Sequence, residues 1–395
     1  MSATAVAILG TGMTDMSRRD VSPEAMAHQV VHEALADAGL EANRLSLVVV
    51  ANALGGRLCD QGCVRGQSWL RKAGIGDVPI VNVDNSCAGG ATALNLGTLA
   101  ARAGDGPVLV VGVEKMWTGD RAATLAGIED GLPADYRADM HARLRPEDNP
   151  AGSILMGLND SWARRCMSER GVTIEQIAAA AVKARLHSAS NPLAQLQHAV
   201  TLEEVLTSPQ VAGVLTRLMC SSFADGAAAL VLGAGSGVPA GAPRIIAAVA
   251  RSGNGDIDYH DRLGETAQAL WESSGLGPED FDLVELHDAT SAEEIYALES
   301  LGLYGHGEAG PATLAGDTTI GGKGLTVNPS GGLVGRGHPL GATGIAQVVE
   351  IATHLRSRAG ERQVPGARLG LAVNTGGIIE GDAGYVGIHA VAAGK

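Results

Sequence analysis

The sequence predicts an α/β protein built as two similar halves, and three observations carry that prediction. A helix-turn-strand plan occurs twice, 236 positions apart, as ALADAGLEANRLSLVVV (34–50) and LWESSGLGPEDFDLVEL (270–286). Each copy leads to a glycine-rich turn, a helix and a further hydrophobic strand, first over Cys87–Val113 and then over Gly332–Val373. Of the 395 residues, 45% are hydrophobic but only 3% aromatic, and 55 are glycine. That composition describes a globular core of small aliphatic side chains, in a chain long enough for two or three domains. Strands alternating with helices predict mostly parallel sheets covered on both faces, with ligands gathered beyond the strands' carboxyl ends.

The elements follow in order. The opening MSATAVAILGTGMTDMS has no basic leader, and its short apolar run reads as a first strand. Gly39 stops the helix of the first repeat, and a polar turn leads into a β-branched strand. Val78–Val83 (VPIVNV) is a buried strand and Ala88–Ala103 (AGGATALNLGTLAARA) a helix with little bulk in its first turn. Roughly Thr118–Leu215 is richer in charge and proline, as in RLRPEDNPAGS (143–153), and reads as a long insertion folding over the site. Leu218–Leu232 (LMCSSFADGAAALVL) returns to small apolar residues and rejoins the first half as a strand. The second repeat carries Gly275 and Phe281 where the first has Gly39 and Leu45.

A net charge of −14 argues against a nucleic-acid partner and against an acidic membrane surface. No apolar stretch reaches the length of a membrane span. Five cysteines without a dense framework suit a reducing, cytoplasmic setting. Cys59 and Cys63 form a C-x3-C, but no second ligand pair follows, so no metal site is expected.

Cys87, in Asn85-Ser86-Cys87-Ala88-Gly89-Gly90, falls on a strand-to-helix turn, where unpaired amides and the helix dipole favour thiolate over thiol. His338, in GGLVGRGHPLGATG, is held in a rigid turn by the proline that follows, and is the candidate to take the Cys87 proton. His287-Asp288 ends the strand Leu283–Leu286, and His287 is placed to donate to a developing oxyanion. The backbone of Cys87 and of a Gly376-Gly377 turn is a candidate for a second oxyanion site, with Asp288 and Asn374 as supporting residues. Cys87, His287-Asp288, the His338 turn and Asn374 all fall on predicted strand ends or the turns after them.

These motifs resemble the thiolase superfamily, and within it the sterol-carrier-protein-type thiolases. NSCAGGATAL (85–94) is similar to the nucleophile motif, ADGAAALVL (224–232) to the D-G-A-A-A strand, and NPSGGLVGRGHPLGATG (328–344) to the GHP motif. HDAT (287–290) stands where that subgroup has His-Asp-Cys-Phe, and the insertion matches through residues 161–197 and 201–220. The resemblance implies a thiolase fold, with two α/β halves in a five-layered α-β-α-β-α arrangement. Residues 1–117 and 216–236 would form the first half, 118–215 an inserted loop domain, and 237–395 the second half. It also implies a homodimer or dimer of dimers, and coenzyme A thioesters as substrates with no tightly bound cofactor. The nucleophile's role falls on Cys87, the activating histidine's on His338 and the oxyanion histidine's on His287.

The chain departs from that pattern at the second, acid/base cysteine. The C-terminal C-x-G-G position holds Asn374-Thr375-Gly376-Gly377, and the His-Asp-Cys-Phe position holds Ala289. Neither side chain takes a proton near neutral pH. Nothing in the remaining motifs clearly replaces that cysteine; Cys59, Cys63, Cys166 and Cys220 lie outside the motif positions, and Cys63, in the loop after the strand Leu47–Ala51, is the best placed of them. The Cys-His-His set that is left suits acyl transfer from an acyl-CoA or other thioester to a carbon nucleophile, including a decarboxylative, ketoacyl-synthase-like condensation. An alternative is a retro-aldolase (carbon–carbon lyase) on CoA thioesters working with a small OB-fold, zinc-ribbon partner, for which Tyr296, Tyr304 and Tyr385 are candidate acid/base groups. A further alternative is a non-catalytic subunit of a multi-subunit acyltransferase.

Overall fold

The computed structural model describes residues 5–17, 20–143, 145, 147–235 and 238–394. The segment limits named above at residues 1, 236, 237 and 395 lie outside them. The first half supplies β1 (Val6–Met13), β2 (Leu47–Ala51), β3 (Ile80–Val83), β4 (Val108–Glu114) and β5 (Gly226–Gly233), standing in the order β3-β2-β4-β5-β1. The second supplies β6 (Arg244–Ser252), β7 (Leu283–Glu285), β8 (Thr326–Val327), β9 (Leu369–Ile379) and β10 (Asp382–Ala392), in the order β8-β7-β9-β10-β6. Strand for strand the two orders are the same. The two sets join edge to edge where Val6 and Ala7 of β1 meet Ile245 and Arg244 of β6.

The expectation of mostly parallel sheets is corrected here. In each half the second strand of that order is parallel to both neighbours, β2 to β3 and β4, β7 to β8 and β9. The other two pairings are antiparallel: β4 with β5 and β5 with β1, β9 with β10 and β10 with β6. The cause is a hairpin. Glu380 (φ 51°) and Gly381 (φ 95°) form a two-residue turn of primed type between β9 and β10, which returns the chain antiparallel to itself. In the first half the same β4-to-β5 connection is occupied by residues 115–225, which include the insertion. A long excursion stands where the second half has a two-residue turn, and the pairing is the same.

Matching helices cover the outer faces. α1 (Pro23–Ala38) and α5 (Tyr259–Ser274) are each 16 residues long and start 236 positions apart. Ser22 and Asp258 cap them by accepting from Ala25 N–H and His260 N–H, and left-handed Gly39 and Gly275 end them. Between the sheets lie α2 (Gly89–Ala103) and α8 (Leu340–Leu355), whose Leu94, Ile345 and Val348 share one core with Val110 of the first half and Leu283 of the second. These layers give the α-β-α-β-α order. A Cβ added at Gly90 would lie 2.8 Å from Gly344 N, so the two central helices cross almost backbone to backbone. That crossing brings their N-terminal turns, carrying Cys87 and His338, to one place.

From the 118–215 segment, α3 (Ile154–Arg170) and α4 (Ile174–Ala189) pack on the second half. Ala163, Ile177 and Ala181 share a core with Leu286 and with Ile295 and Leu298 of α6 (Ser291–Ser300). α4 also lies against α7 (Gly332–Arg336), where a Cβ on Gly335 would stand 2.7 Å from Ala184 O. No helix among the described residues is long and apolar enough to cross a membrane.

Candidate active site

Cys87 sits between β3 and α2, two residues before the helix begins. Ser86 enters the left-handed region (φ 51°) to make that turn, its amide bonding Asp84 Oδ1 at 3.1 Å and its hydroxyl lying 3.8 Å from Cys87 Sγ. A Cβ on Gly376 would stand 2.2 Å from Ala88 N, so the bare backbone of β9 closes over the turn. The expected thiolate is corrected. Burial pushes the Cys87 thiol up to about 12, with Glu114 adding to the effect. The resting sulfur is a thiol and needs a base.

Cys87 Sγ and ring nitrogens of His287 and His338 lie within 4.8 Å of one another, and the two imidazoles meet edge to face with centroids 4.9 Å apart. Burial holds both histidines neutral, His287 down to about 3 and His338 well below its ordinary value. Their tautomers follow from the hydrogen bonds around them. Thr343 Oγ1 donates its only proton to Pro339 O (2.9 Å), so it must accept from His338 Nδ1–H (2.8 Å). His338 is left with a bare Nε2, an acceptor.

Asn374 imposes the opposite arrangement. Its Oδ1 accepts from Ala91 N–H (3.3 Å), so its Nδ2 donates to His287 Nδ1 (3.0 Å) and the ring proton stays on Nε2. His287 is therefore a donor and His338 an acceptor, side by side at one thiol. A protonated Nε2 also keeps His287 from serving as a metal ligand, although the Cys-His-His set is close enough for one. Gly344 makes room for this arrangement, since a Cβ there would lie 2.4 Å from Asn374 Oδ1 and 2.6 Å from Ala91 N. Gly344→Ala is expected to lower stability by about 1–3 kcal/mol. A denaturant titration with an unchanged midpoint would contradict it.

Asn374 lies inside β9, not at a strand end as expected, and Gly376 and left-handed Gly377 belong to the same strand rather than to a turn. Asp288 is turned to α7, whose Leu333 N–H (2.7 Å) and Val334 N–H (3.5 Å) donate to it. Glu114, which the sequence reading passed over, accepts from Ala53, Leu54 and Gly341 amides and from Asn52, tying the end of β4 to the start of α8. Burial raises its carboxyl to about 7.

The site opens on a cavity of about 1030 Å³, walled by Cys87, His287, Ala289, His338, Gly376 and Gly377 from the two halves and roofed by residues of the 118–215 segment such as Met156 and Trp162. The proposed stand-in Cys63 is exposed and away from the cavity. Cys220 is on its wall instead, its backbone bridged to Thr290 beside Ala289 and its thiol donating to Thr216 O (3.4 Å). Cys166 is buried in the core, and Cys59 is partly buried with its sulfur 4.0 Å from Lys115 O.

Tyr296, Tyr304 and Tyr385 do not line the cavity, and Tyr296 is stacked on His260 at 3.6 Å. Tyr259 does line it, with its hydroxyl 2.5 Å from Thr375 Oγ1. So does Glu293, which is bonded to His260 Nε2 (3.0 Å). The adjacency of Glu293 to the HDAT motif was the one available signal for it in the sequence.

A family model for the thiolase N-terminal domain matches residues 6–236, and one described as thiolase C-terminal domain-like matches 252–386. Sterol carrier protein 2 of Bos taurus is 34% identical, over 94% of this chain and 70% of that protein. Acetyl-CoA acetyltransferase of Methanothermobacter thermautotrophicus is 36% identical over 94% and 96%. Benzoylsuccinyl-CoA thiolase subunit BbsB of Thauera aromatica is 33% identical over 94% of each. Among solved structures, the Ltp2–ChsH2(DUF35) aldolase aligns with a TM-score of 0.80 at 26% identity over 99% of this chain and 98% of the other. Human mitochondrial 3-ketoacyl-CoA thiolase in complex with CoA aligns at 0.73 and 15% over 100% and 99%, which speaks to the fold alone.

Proposed function

Because this chain belongs to the thiolase family and is an acyltransferase, we propose that Cys87 takes the acyl group from an acyl-CoA and passes it to a carbon nucleophile. The observation that carries this reading is the pair of neutral histidines of opposite tautomer beside one thiol. As Sγ attacks the thioester carbonyl, the bare Nε2 of His338 takes the thiol proton, and the Nε2–H of His287 donates to oxygen as it becomes negative. The backbone at Cys87 and at Gly376-Gly377 is the second candidate oxyanion site. The carbon–sulfur bond of the thioester then breaks, and the leaving CoA thiolate takes the proton from His338. No cofactor beyond the CoA thioester is needed for these steps, and a dimer is the proposed assembly.

Neither Ala289 nor Asn374 can move a proton in the second half-reaction. An acceptor whose carbanion arises by loss of CO2, or one already electron-rich, avoids that requirement. Mixing the protein with short acyl-CoAs should add one acyl mass, located by peptide mapping to the peptide containing Cys87. No added mass, or an acyl group on another residue, would overturn the reading.

A second reading is favoured by the likeness to the Ltp2–ChsH2(DUF35) aldolase. In it the chain works with a small OB-fold protein and cleaves a carbon–carbon bond of a CoA thioester, with Tyr259 and Glu293 as the protonatable groups on the cavity wall. Copurification of a DUF35-type partner, together with release of an aldehyde or ketone and no acyl-Cys87, would decide for it.

A further inference from the structure

Four arginines are buried among the described residues, and three of them face carboxylates. Arg262 meets Asp382, Arg336 meets Glu285 and Arg362 meets Glu350. The fourth, Arg185 of α4, is 6% exposed. Its guanidinium makes no hydrogen bond or ion pair among the described residues, and its buried Nε has no partner. A guanidinium this far removed from water, with no carboxylate in contact, is costly to keep, and a bound anion would offset that cost. Arg185 lines the catalytic cavity, and the helix that carries it lies against α7, the segment leading into His338.

We infer that Arg185 holds a carboxylate on the acyl or acceptor part of the substrate, so that this enzyme works on CoA thioesters bearing a second acidic group. The inference rests on the thioester reading above and adds a substrate class to it. Charge in the cavity supports it. Arginines 121, 185 and 217 line the space, whereas the carboxylate on the wall, Glu293, is already bonded to His260. Arg121 and Arg217 are exposed, where strongly hydrated phosphates of CoA are best met. Arg185 is dry. A single carboxylate matches a single guanidinium in charge and in its two-pronged geometry, and gives up its water more readily than a phosphate dianion. Burial pulls the guanidinium below its ordinary range, with Glu204 as the opposing influence, and a bound carboxylate would reverse that.

The test is equilibrium binding to full-length protein carrying Cys87→Ala, so that affinity is read without acylation. The probes are butyryl-CoA, CoA itself, and a malonyl- to adipyl-CoA series. At the best chain length the dicarboxylic ester should bind about tenfold or more tighter than butyryl-CoA, and adding Arg185→Gln should bring that ratio to about one, with Arg185→Lys between. No preference at any chain length, or absence of binding by every ester, overturns the inference. So does an Arg185→Gln loss for CoA alone as large as for the dicarboxylic ester, which would put the guanidinium on the CoA phosphates. Failure of the nucleophile reading shows separately, as a missing acyl-Cys87 in the wild-type protein.

Discussion

Replacing His338 with alanine should slow Cys87 acylation by about 10²- to 10⁴-fold and change its pH dependence. The thiol is pushed up to about 12 by burial, so without a base nearby only a minute thiolate fraction exists at neutral pH. In the wild type the base is His338. Its conjugate acid is held well below the ordinary 6.5, so the imidazole is already neutral and ready across the neutral range. The wild-type acylation rate should therefore be flat between about pH 7 and pH 9, falling only in acid as the depressed His338 takes up a proton. In His338→Ala the rate should instead climb about tenfold per pH unit towards 12, because hydroxide must do the histidine's work. Stopped-flow or quenched mass spectrometry of the acyl-enzyme measures both. A flat profile in the variant, or a loss of less than tenfold, would mean that His338 is not the base.

Much of this was legible in the sequence because the information was local. Cys87, His287 and His338 each sit in a short motif of glycine, proline and small residues, and the duplicated plan placed those motifs at equivalent ends of two halves. The duplication was visible because α1 and α5 keep the same length, caps and left-handed glycine stops. What was not legible depends on contacts between distant segments. Nothing local shows that β4 and β5 pair antiparallel across residues 115–225, since the hairpin that explains the geometry survives only at Glu380-Gly381.

The same holds within the site. Cys63 looked well placed because it follows β2, yet Cys220 reaches the cavity through a bridge to Thr290, and Tyr259 through α5. The ionisation of Cys87 is likewise not a local property. A helix end is visible in sequence, but the burial that raises the thiol comes from β9, α8 and the 118–215 segment closing over the turn.

Asn374 shows what the departure from the family's cysteine pattern gives in return. A side-chain amide offers both a donor and an acceptor, and here each is used. Oδ1 is fixed by Ala91 N–H, and Nδ2 fixes the His287 tautomer so that Nε2–H is available to an oxyanion. If that donor is the purpose of His287, then His287→Leu should lower kcat for acyl transfer by about 10²- to 10³-fold with little change in KM. His287→Gln should recover part of the loss, because the glutamine amide nitrogen can reach the region of the imidazole Nε2. His287→Asn should not, because its shorter amide falls near Nδ1 instead. Asn374→Ala should cost about two- to fivefold, since the free imidazole can then populate either tautomer. That variant's loss should vanish in the His287→Gln background, where no tautomer is left to choose. Equal activity in the Gln and Asn variants at position 287, or an Asn374→Ala loss that persists beside His287→Gln, would show that Asn374 does not act through the histidine's proton.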